Sequence, residues 1–475
     1  MIANLVAGQW RRPSTPTLPV YNPATEDVLD EVPLSGAAEV AQAGAAAADA
    51  YPEWSRTPVM ERTRLMFRYK MLLEEHYEEL AALVTRHHGK TLDEARGEVR
   101  RGIEVVDFAC GAPSLLQGRT LRQVSGDVDQ DLYRYPLGVA AGIPPFNFPV
   151  MIPLWMFPLA VVAGNTFVLK PSERTPLGAV RLAELFLEAG FPPGVLNVVH
   201  GARETVEALI AAPEVQAVSF VGSAPVARQV YAEAARHGKR VQALGGAKNH
   251  IVVMPDADLT VAVPALLGTA FGNAGERCLA GSVAVAVGEA SQRLLEPLRA
   301  QTSALVVGPG DQPGVDVGPL IRAEHRDRVA HYIDQGVAEG ATLLVDGRSH
   351  MQRKGFFLGP TILNDVHPAM TVGREEIFGP VLSVAHVQTL EEAIAQANSM
   401  ALGNMAVIFT RDGRAARAFR DRVEAGMVGV NVPVAQPFAF FPFSGWKGSF
   451  YGDLHVHGTD GIEFYTRKKM FITRW

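Results

Sequence analysis

Ser219-Phe220-Val221-Gly222-Ser223-Ala224-Pro225-Val226-Ala227 runs from a β-branched and aromatic segment, through one glycine, into a helix-forming segment with a proline near its start. A strand, a tight turn and a helix in that order form the repeating unit of a parallel α/β sheet. Parallel neighbours need a crossover, and the helix supplies it. The start of such a helix leaves backbone N–H groups unpaired beside the positive end of its dipole, which suits a pyrophosphate. Only one glycine is present, so the three-glycine dinucleotide fingerprint is missing and a plain strand–helix turn is the competing reading.

The same rhythm extends in both directions. Strand and helix patterns alternate through Val139–Ile143, Pro149–Val162, Thr166–Leu169, Leu177–Gly190, Val195–His200, Glu204–Ala211, Ala217–Val221 and Pro225–His237. After Gly246 the alternation restarts with Ile251–Met254, Val261–Phe271, Ser282–Val287 and a helix from Arg322 to Glu339, so a second α/β unit occupies roughly 245–445. Upstream, Gly36–Ala50, Glu61–His88 and Leu92–Leu116 read as helices, the last with neither Gly102 nor Gly111 as a stop. Val128–Pro136 and Ile462–Trp475 alternate polar and apolar residues. Two such ribbons from distant parts of one chain predict a small outlying sheet that pairs with another subunit, against the plainer reading of a surface hairpin.

Length and composition bound the function. The 475 residues suffice for about three domains at ~150 residues each. Apolar residues at 48% and charged residues at 20% are ordinary for a globular enzyme, and a net charge of −6 argues against nucleic acid or an anionic membrane as partner. Two cysteines point to a reducing compartment without a disulfide framework. Met1–Arg11 lacks the pattern of a signal peptide, and a cytoplasmic location is expected. The uncharged stretch from Tyr135 to Leu169 is broken by Pro144, Pro145, Pro149, Pro153 and Pro158, so it reads as buried backbone beside an active site rather than a membrane span. His87-His88 and His455-Val456-His457 lack converging partners, and no metal site is expected.

Three constellations carry chemistry. Cys278 stands in Gly272-Asn273-Ala274-Gly275-Glu276-Arg277-Cys278-Leu279-Ala280-Gly281, among small residues and directly after a cation. An ordinary thiol is only a few per cent thiolate at neutral pH, so a nucleophile needs help, and Arg277 is placed to lower its pKa. A small buried residue in a glycine-rich turn is the alternative. Lys170 and Glu173 follow the strand Thr166–Leu169, where α/β ligands sit; they suit ribose hydroxyls, and the carboxylate would repel an added 2′-phosphate, or else they form a surface ion pair. Asn147 is the one amide in the proline-bracketed turn Pro145-Phe146-Asn147-Phe148-Pro149. It either bridges two turns or donates to an oxyanion that develops during reaction.

Together Asn147, Lys170 with Glu173, Gly222-Ser223 after Ser-Phe-Val, Cys278 and Glu375-Glu376-Ile377-Phe378-Gly379-Pro380 occur in the order of the aldehyde dehydrogenase superfamily, which the whole chain resembles. The resemblance implies two Rossmann-like parallel-sheet domains plus a small β oligomerisation domain. NAD binding would fall to 1–117 and 138–244, catalysis to 245–445, and assembly, as a homotetramer (a dimer of dimers), to strands in 118–137 and 446–475. By resemblance Cys278 is the nucleophile, and Asn147 with the Cys278 amide forms the oxyanion hole. Phe146, Lys170, Glu173, Gly222, Ser223, Glu376 and Phe378 would bind NAD.

Where hydrolytic members carry a water-activating glutamate, this chain reads Gln242-Ala243-Leu244-Gly245-Gly246-Ala247-Lys248-Asn249-His250, with no carboxylate at Ala243 or Leu244. Loss of a general base costs about 10²–10⁴-fold, so water is expected to be a poor acceptor and a second thiol a better one. Ile152-Pro153-Leu154-Trp155-Met156-Phe157-Pro158, Arg236-His237-Gly238-Lys239-Arg240, Gly246-Ala247-Lys248-Asn249-His250 and Gly429-Val430-Asn431-Val432-Pro433 resemble the coenzyme A-acylating branch that acts on methylmalonate semialdehyde. In that branch two arginines grip the substrate carboxylate. Arg277 and Arg101 take those places, with Arg100 as fallback. Arginine suits the task because its planar fork meets both carboxylate oxygens. Glu276, next to Arg277, is expected to compete for it. A hydrolytic aldehyde dehydrogenase and a non-catalytic protein on the same fold remain as alternatives.

Overall fold

The computed structural model of the protein describes all residues, Met1–Trp475. Its first sheet has eight strands, in the order Gln9–Arg11, Asn4–Val6, Leu196–Val198, Thr166–Leu169, Val139–Ile143, Val215–Val221, Arg240–Leu244 and Phe450–Tyr451. The inner strands are parallel and the edges antiparallel. Every residue of Val139–Ile143 and Thr166–Leu169 is buried, which is why these strands read as unbroken apolar runs rather than alternating ones. The second sheet has seven strands, Thr342–Val345, Thr361–Asn364, Val381–Val387, Gly281–Val287, Asn249–Val253, Met405–Phe409 and Met427–Val430. A third, three-stranded antiparallel sheet joins Thr466–Arg474, Val128–Pro136 and Arg119–Ser125, with Tyr133, Met470, Phe471 and Ile472 exposed on it.

The elements differ from the sequence expectation at instructive places. The pattern Glu61–His88 is two helices, Val59–Glu75 and Tyr77–His88, meeting at His76. The pattern Leu92–Leu116 stops at Ala109 and resumes as the short helix Ala112–Leu115, because Pro113 cannot donate the N–H that would continue the first. Gly102 stays inside its helix. A Cβ there would lie 2.7 Å from Leu154 Cδ1, so this glycine lets Leu92–Ala109 pack closely on Met151–Val162. The span 446–475 is not all outlying strand. Phe450–Tyr451 completes the first sheet against Ala243 and Leu244, Trp446–Lys447 pairs with Leu402–Gly403, and Gly458–Phe464 is helical. Polar–apolar alternation in so short a helix looks like a strand in sequence. The uncharged stretch contains the wholly buried helix Met151–Val162, and no helix is long and apolar enough to cross a membrane.

Candidate active site

The helix Leu259–Phe271 ends at Gly272, and the chain then turns sharply into the strand Gly281–Val287. Asn273 and Ala274 adopt left-handed backbone conformations, at φ 57° and 51°, which non-glycine residues hold only where the surroundings compel it, at about 1–3 kcal/mol each. The compulsion is visible. The Asn273 N–H donates to Glu94 Oε1 at 2.5 Å, and its side chain donates to the Glu276 carbonyl at 2.8 Å. Asn249 and Asn404 each donate to the Cys278 carbonyl at 2.9 Å. The thiol is therefore anchored from four directions.

Opposite it, the strand Val139–Ile143 delivers the turn containing Asn147. This side chain is buried, and its Nδ2 donates to the Glu276 carbonyl at 2.8 Å. The Asn147 carbonyl accepts from Lys90 Nζ at 2.7 Å. Phe146, Asn147, Lys170, Glu173, Gly222, Ser223, Glu376 and Phe378 all line one cleft of 860 Å³ that reaches Cys278. The cleft is within the size range of small-molecule sites. Ser223 caps the helix Ala224–Arg236 without a side-chain bond to it, leaving the N-terminal amides open to the cleft. A Cβ at Gly222 would lie 2.5 Å from the Phe220 ring, so this turn tolerates only glycine.

Lys170 and Glu173 meet at 3.1 Å. Burial lowers the lysine pKa; burial works to raise the carboxyl, but the Lys170 charge prevails and holds it below its ordinary value. At the other end, burial pushes Glu376 up to about 7, against the opposing pull of the Ala247 N–H, which it accepts at 2.9 Å, and of Lys248. Its Oε2 would lie 2.3 Å from a Cβ at Gly246, so the glycine makes room for the carboxylate. Burial, followed by the charge of Glu376, pushes the Cys278 thiol up to about 12. Arg277 lowers it, as expected, but loses to these two. The expectation of a thiol activated by its neighbouring arginine is corrected on this point.

On its other side Cys278 opens into a second cavity of 240 Å³, lined also by Arg277, Glu94, Phe148, Met151, Trp155, Val434 and Gln436. Arg277 donates through one terminal nitrogen to the carbonyls of Gly268 and Thr269, and its buried Nε has no partner. Glu276 does not compete for it. That carboxyl turns away, accepts from the Ile321 N–H at 3.3 Å, and lies 3.9 Å from His88 and 3.4 Å from His325. Burial raises its pKa to about 8. Arg101 is not brought into the cavity wall. It pairs with Glu104 at 2.9 Å and lies 4.6 Å above the Phe438 ring. Arg100 points elsewhere, to Glu74 and the Tyr77 ring. Ala243 is fully buried in strand pairing with Phe220 and Tyr451, so no carboxylate occupies its place.

The sequence reading missed Lys90, Glu94 and Glu98, which line the smaller cavity, and Lys248, Arg174 and Arg328, which line the larger. Of the first three, Glu94 and Glu98 carried a signal. Charged residues at four-residue spacing, continuous with the apolar stripe of Ala95, Val99 and Ile103, face the interior rather than water.

Residues 10–471 match the model of the aldehyde dehydrogenase family. The chain belongs to that family. Among aldehyde dehydrogenases it is similar to malonate-semialdehyde dehydrogenase 1 of Geobacillus thermodenitrificans, 55% identical over 100% of this chain and 99% of the relative. Malonate-semialdehyde dehydrogenase 2 of Geobacillus kaustophilus is 56% identical over the same shares. The crystal structure of methylmalonate-semialdehyde dehydrogenase from Oceanimonas doudoroffii superposes with a TM-score of 0.98 at 49% identity, covering 100% of this chain and 98% of that one. A putative methylmalonate-semialdehyde dehydrogenase from Sinorhizobium meliloti 1021, complexed with NAD, gives 0.98 at 45% identity over the same shares. The aldehyde dehydrogenase fold, two α/β units with parallel-containing sheets, is thereby established for this protein.

Proposed function

We propose that this aldehyde dehydrogenase oxidises malonate semialdehyde or methylmalonate semialdehyde with NAD, decarboxylates the acyl group on Cys278, and passes it to coenzyme A as acetyl-CoA or propionyl-CoA. The observation that carries the reading is the position of Cys278 between two chambers. One is long, with a helix N-terminus and the Lys170–Glu173 pair; the other is small, with Arg277 in its wall. The first suits a dinucleotide and the second a short acyl chain ending in a carboxylate. The malonate- and methylmalonate-semialdehyde relatives, one of them bound to NAD, support the same assignment.

Cys278 as thiolate attacks the aldehyde carbon, forming the C–S bond, and Asn147 donates to the alkoxide that results. NAD, when bound, accepts the hydride that leaves this carbon, and a thioester remains on sulfur. Arg277 holds the substrate carboxylate; Arg101, paired with Glu104 and set over the Phe438 ring, does not line the cavity. Loss of CO2 sends the bonding electrons into the thioester enolate, whose oxygen Asn147 can again hold, and a proton then adds to carbon. The coenzyme A thiolate attacks the thioester carbon and Cys278 leaves as thiolate. Glu376, drawn away from Gly246, would hold the nicotinamide ribose, with Phe378 and Phe146 packed beside it. Assembly through the exposed faces of the three-stranded sheet into a homotetramer, and a cytoplasmic location, complete the proposal.

A second reading, hydrolysis to the free acid, is favoured by one feature: the Glu376 carboxyl is buried near enough to shift the thiol. A single-turnover experiment separates the two. Without coenzyme A the thiol-transfer reading gives about one NADH per active subunit and then near-arrest, and coenzyme A restores turnover. Sustained NADH release in its absence means that water is the acceptor.

A further inference from the structure

The loop that carries Asn147 is clamped from below by a buried ion pair that the reaction as described does not use. Lys90 and Glu98 have fully buried side chains and meet at 2.6 Å. Lys90 Nζ also donates to the Asn147 carbonyl at 2.7 Å and sits 4.2 Å above the Phe148 ring. Glu98 Oε1 accepts from the main-chain N–H groups of Val150 and Met151, at 2.8 and 3.2 Å. The two side chains therefore hold the residue before Phe148 and the two after Pro149. Glu98 projects from the helix Leu92–Ala109 and Lys90 from the connection just before its cap Thr91, while Glu94, in the first turn of that helix, grips Asn273 on the nucleophile's turn.

One rigid element thus reaches both partners of the reacting carbon. A neutral pair would suffice to fill the space, and burying two charges is costly unless each meets several partners, as these do. Such a charged clamp resists displacement of its loop more than apolar packing would, because moving the loop strands a charge. We propose that Lys90 and Glu98 are positioning residues that fix the Asn147 amide relative to the Cys278 sulfur. This rests on the reading of Asn147 as the oxyanion donor.

The test is a double-mutant cycle on the full-length enzyme, read as the rate of the NADH burst with malonate semialdehyde. Lys90→Met should slow the burst by about 10–100-fold, the usual cost of misplacing a catalytic group by a fraction of an ångström to 1 Å. The KM for NAD should move less than about threefold, since the clamp does not touch that cleft. In an Asn147→Ala background Lys90→Met should slow the burst by less than about threefold more, because it acts through the missing amide. A full, multiplicative loss in that background overturns the proposal, as does an unchanged burst in Lys90→Met alone. If Lys90→Met fails to fold, Glu98→Gln keeps an acceptor for Val150 and Met151 and takes its place, with the same dependence on Asn147 expected. An unchanged burst in Asn147→Ala itself overturns the oxyanion reading and this proposal with it.

Discussion

The side-chain amide of Asn147 donates to the main-chain carbonyl of Glu276, two residues before the thiol, at 2.8 Å. One of its two hydrogens is thereby committed to fixing orientation, and the other is left for the substrate oxygen. Asn147→Ala should reduce kcat by about 10²–10³-fold, the cost of one oxyanion donor. Asn147→Asp should be worse, since a carboxylate would face both the Glu276 carbonyl and the developing alkoxide. An Asn147→Ala enzyme with the parent's kcat in the NADH assay would refute a donor role.

Burial and the Glu376 charge together push the Cys278 thiol up, and that makes the activation step testable. Glu376→Gln removes the charge and leaves an acceptor for the Ala247 N–H. The Cys278 pKa should fall from about 12, so alkylation by iodoacetamide should reach its plateau at lower pH than in the parent. Superimposable rate–pH profiles would show that burial alone sets the thiol.

How far the sequence carries depends on what kind of signal each feature leaves. The parallel core was legible because strands buried on both faces, such as Val139–Ile143, read as apolar runs, and each is punctuated by a helix. Residues lining the larger cleft were legible where they follow strand ends, Lys170 and Glu173 after Thr166–Leu169 and Gly222 and Ser223 after Val215–Val221. Arg277 lines the cavity with the thiol, whereas the rise in the thiol's pKa was not legible, because it comes from burial and from the charge of Glu376, about 100 residues away in sequence. The turn of Glu276 toward His88 and His325 was equally invisible, since it depends on the left-handed Asn273 and Ala274. Lys90 and Glu98 escaped because charge on a helix or just before it is ordinarily read as solvated surface.

Glu173 is held below its ordinary pKa by Lys170 and lines the cleft, at the end proposed to take the adenosine of NAD. A fixed negative charge there disfavours a 2′-phosphate. Glu173→Gln should raise the KM for NAD severalfold and narrow the gap in kcat/KM between NAD and NADP by about tenfold, or ~1.4 kcal/mol. Steady-state kinetics with both coenzymes check this, and an unaltered ratio would place the discrimination elsewhere.

The guanidinium of Arg277, in the wall of the small cavity beside Cys278, predicts dependence on the substrate's own charge. Arg277→Ala should lower kcat/KM for malonate semialdehyde by about 10²-fold or more, on the scale of a lost charge-assisted hydrogen-bond pair. Propanal, which has no carboxylate, should be affected far less. A parallel loss on both aldehydes would mean that Arg277 supports the turn through Gly268 and Thr269 rather than the substrate.

Glu276 supplies a stability prediction with a definite sign. Burial raises its folded-state pKa from 4.5 to about 8, although the Ile321 N–H and the charges of Lys90, Arg174 and Arg328 oppose it. Its nearest titratable neighbours stay uncharged, His88 well below its ordinary value and His325 at about 4, both chiefly through burial. A folded state that keeps a proton the unfolded chain has released gains stability from that proton. The contribution is complete below pH 4.5 and is lost as pH rises through about 8. Glu276→Gln is uncharged at every pH and retains an acceptor for Ile321. Its Tm relative to the parent should therefore climb between pH 5 and 8.5, with the variant the more stable of the two at the alkaline end. Calorimetry at fixed ionic strength checks this. A Tm difference that stays flat across the range would mean that the carboxyl ionises in the folded protein as it does in water.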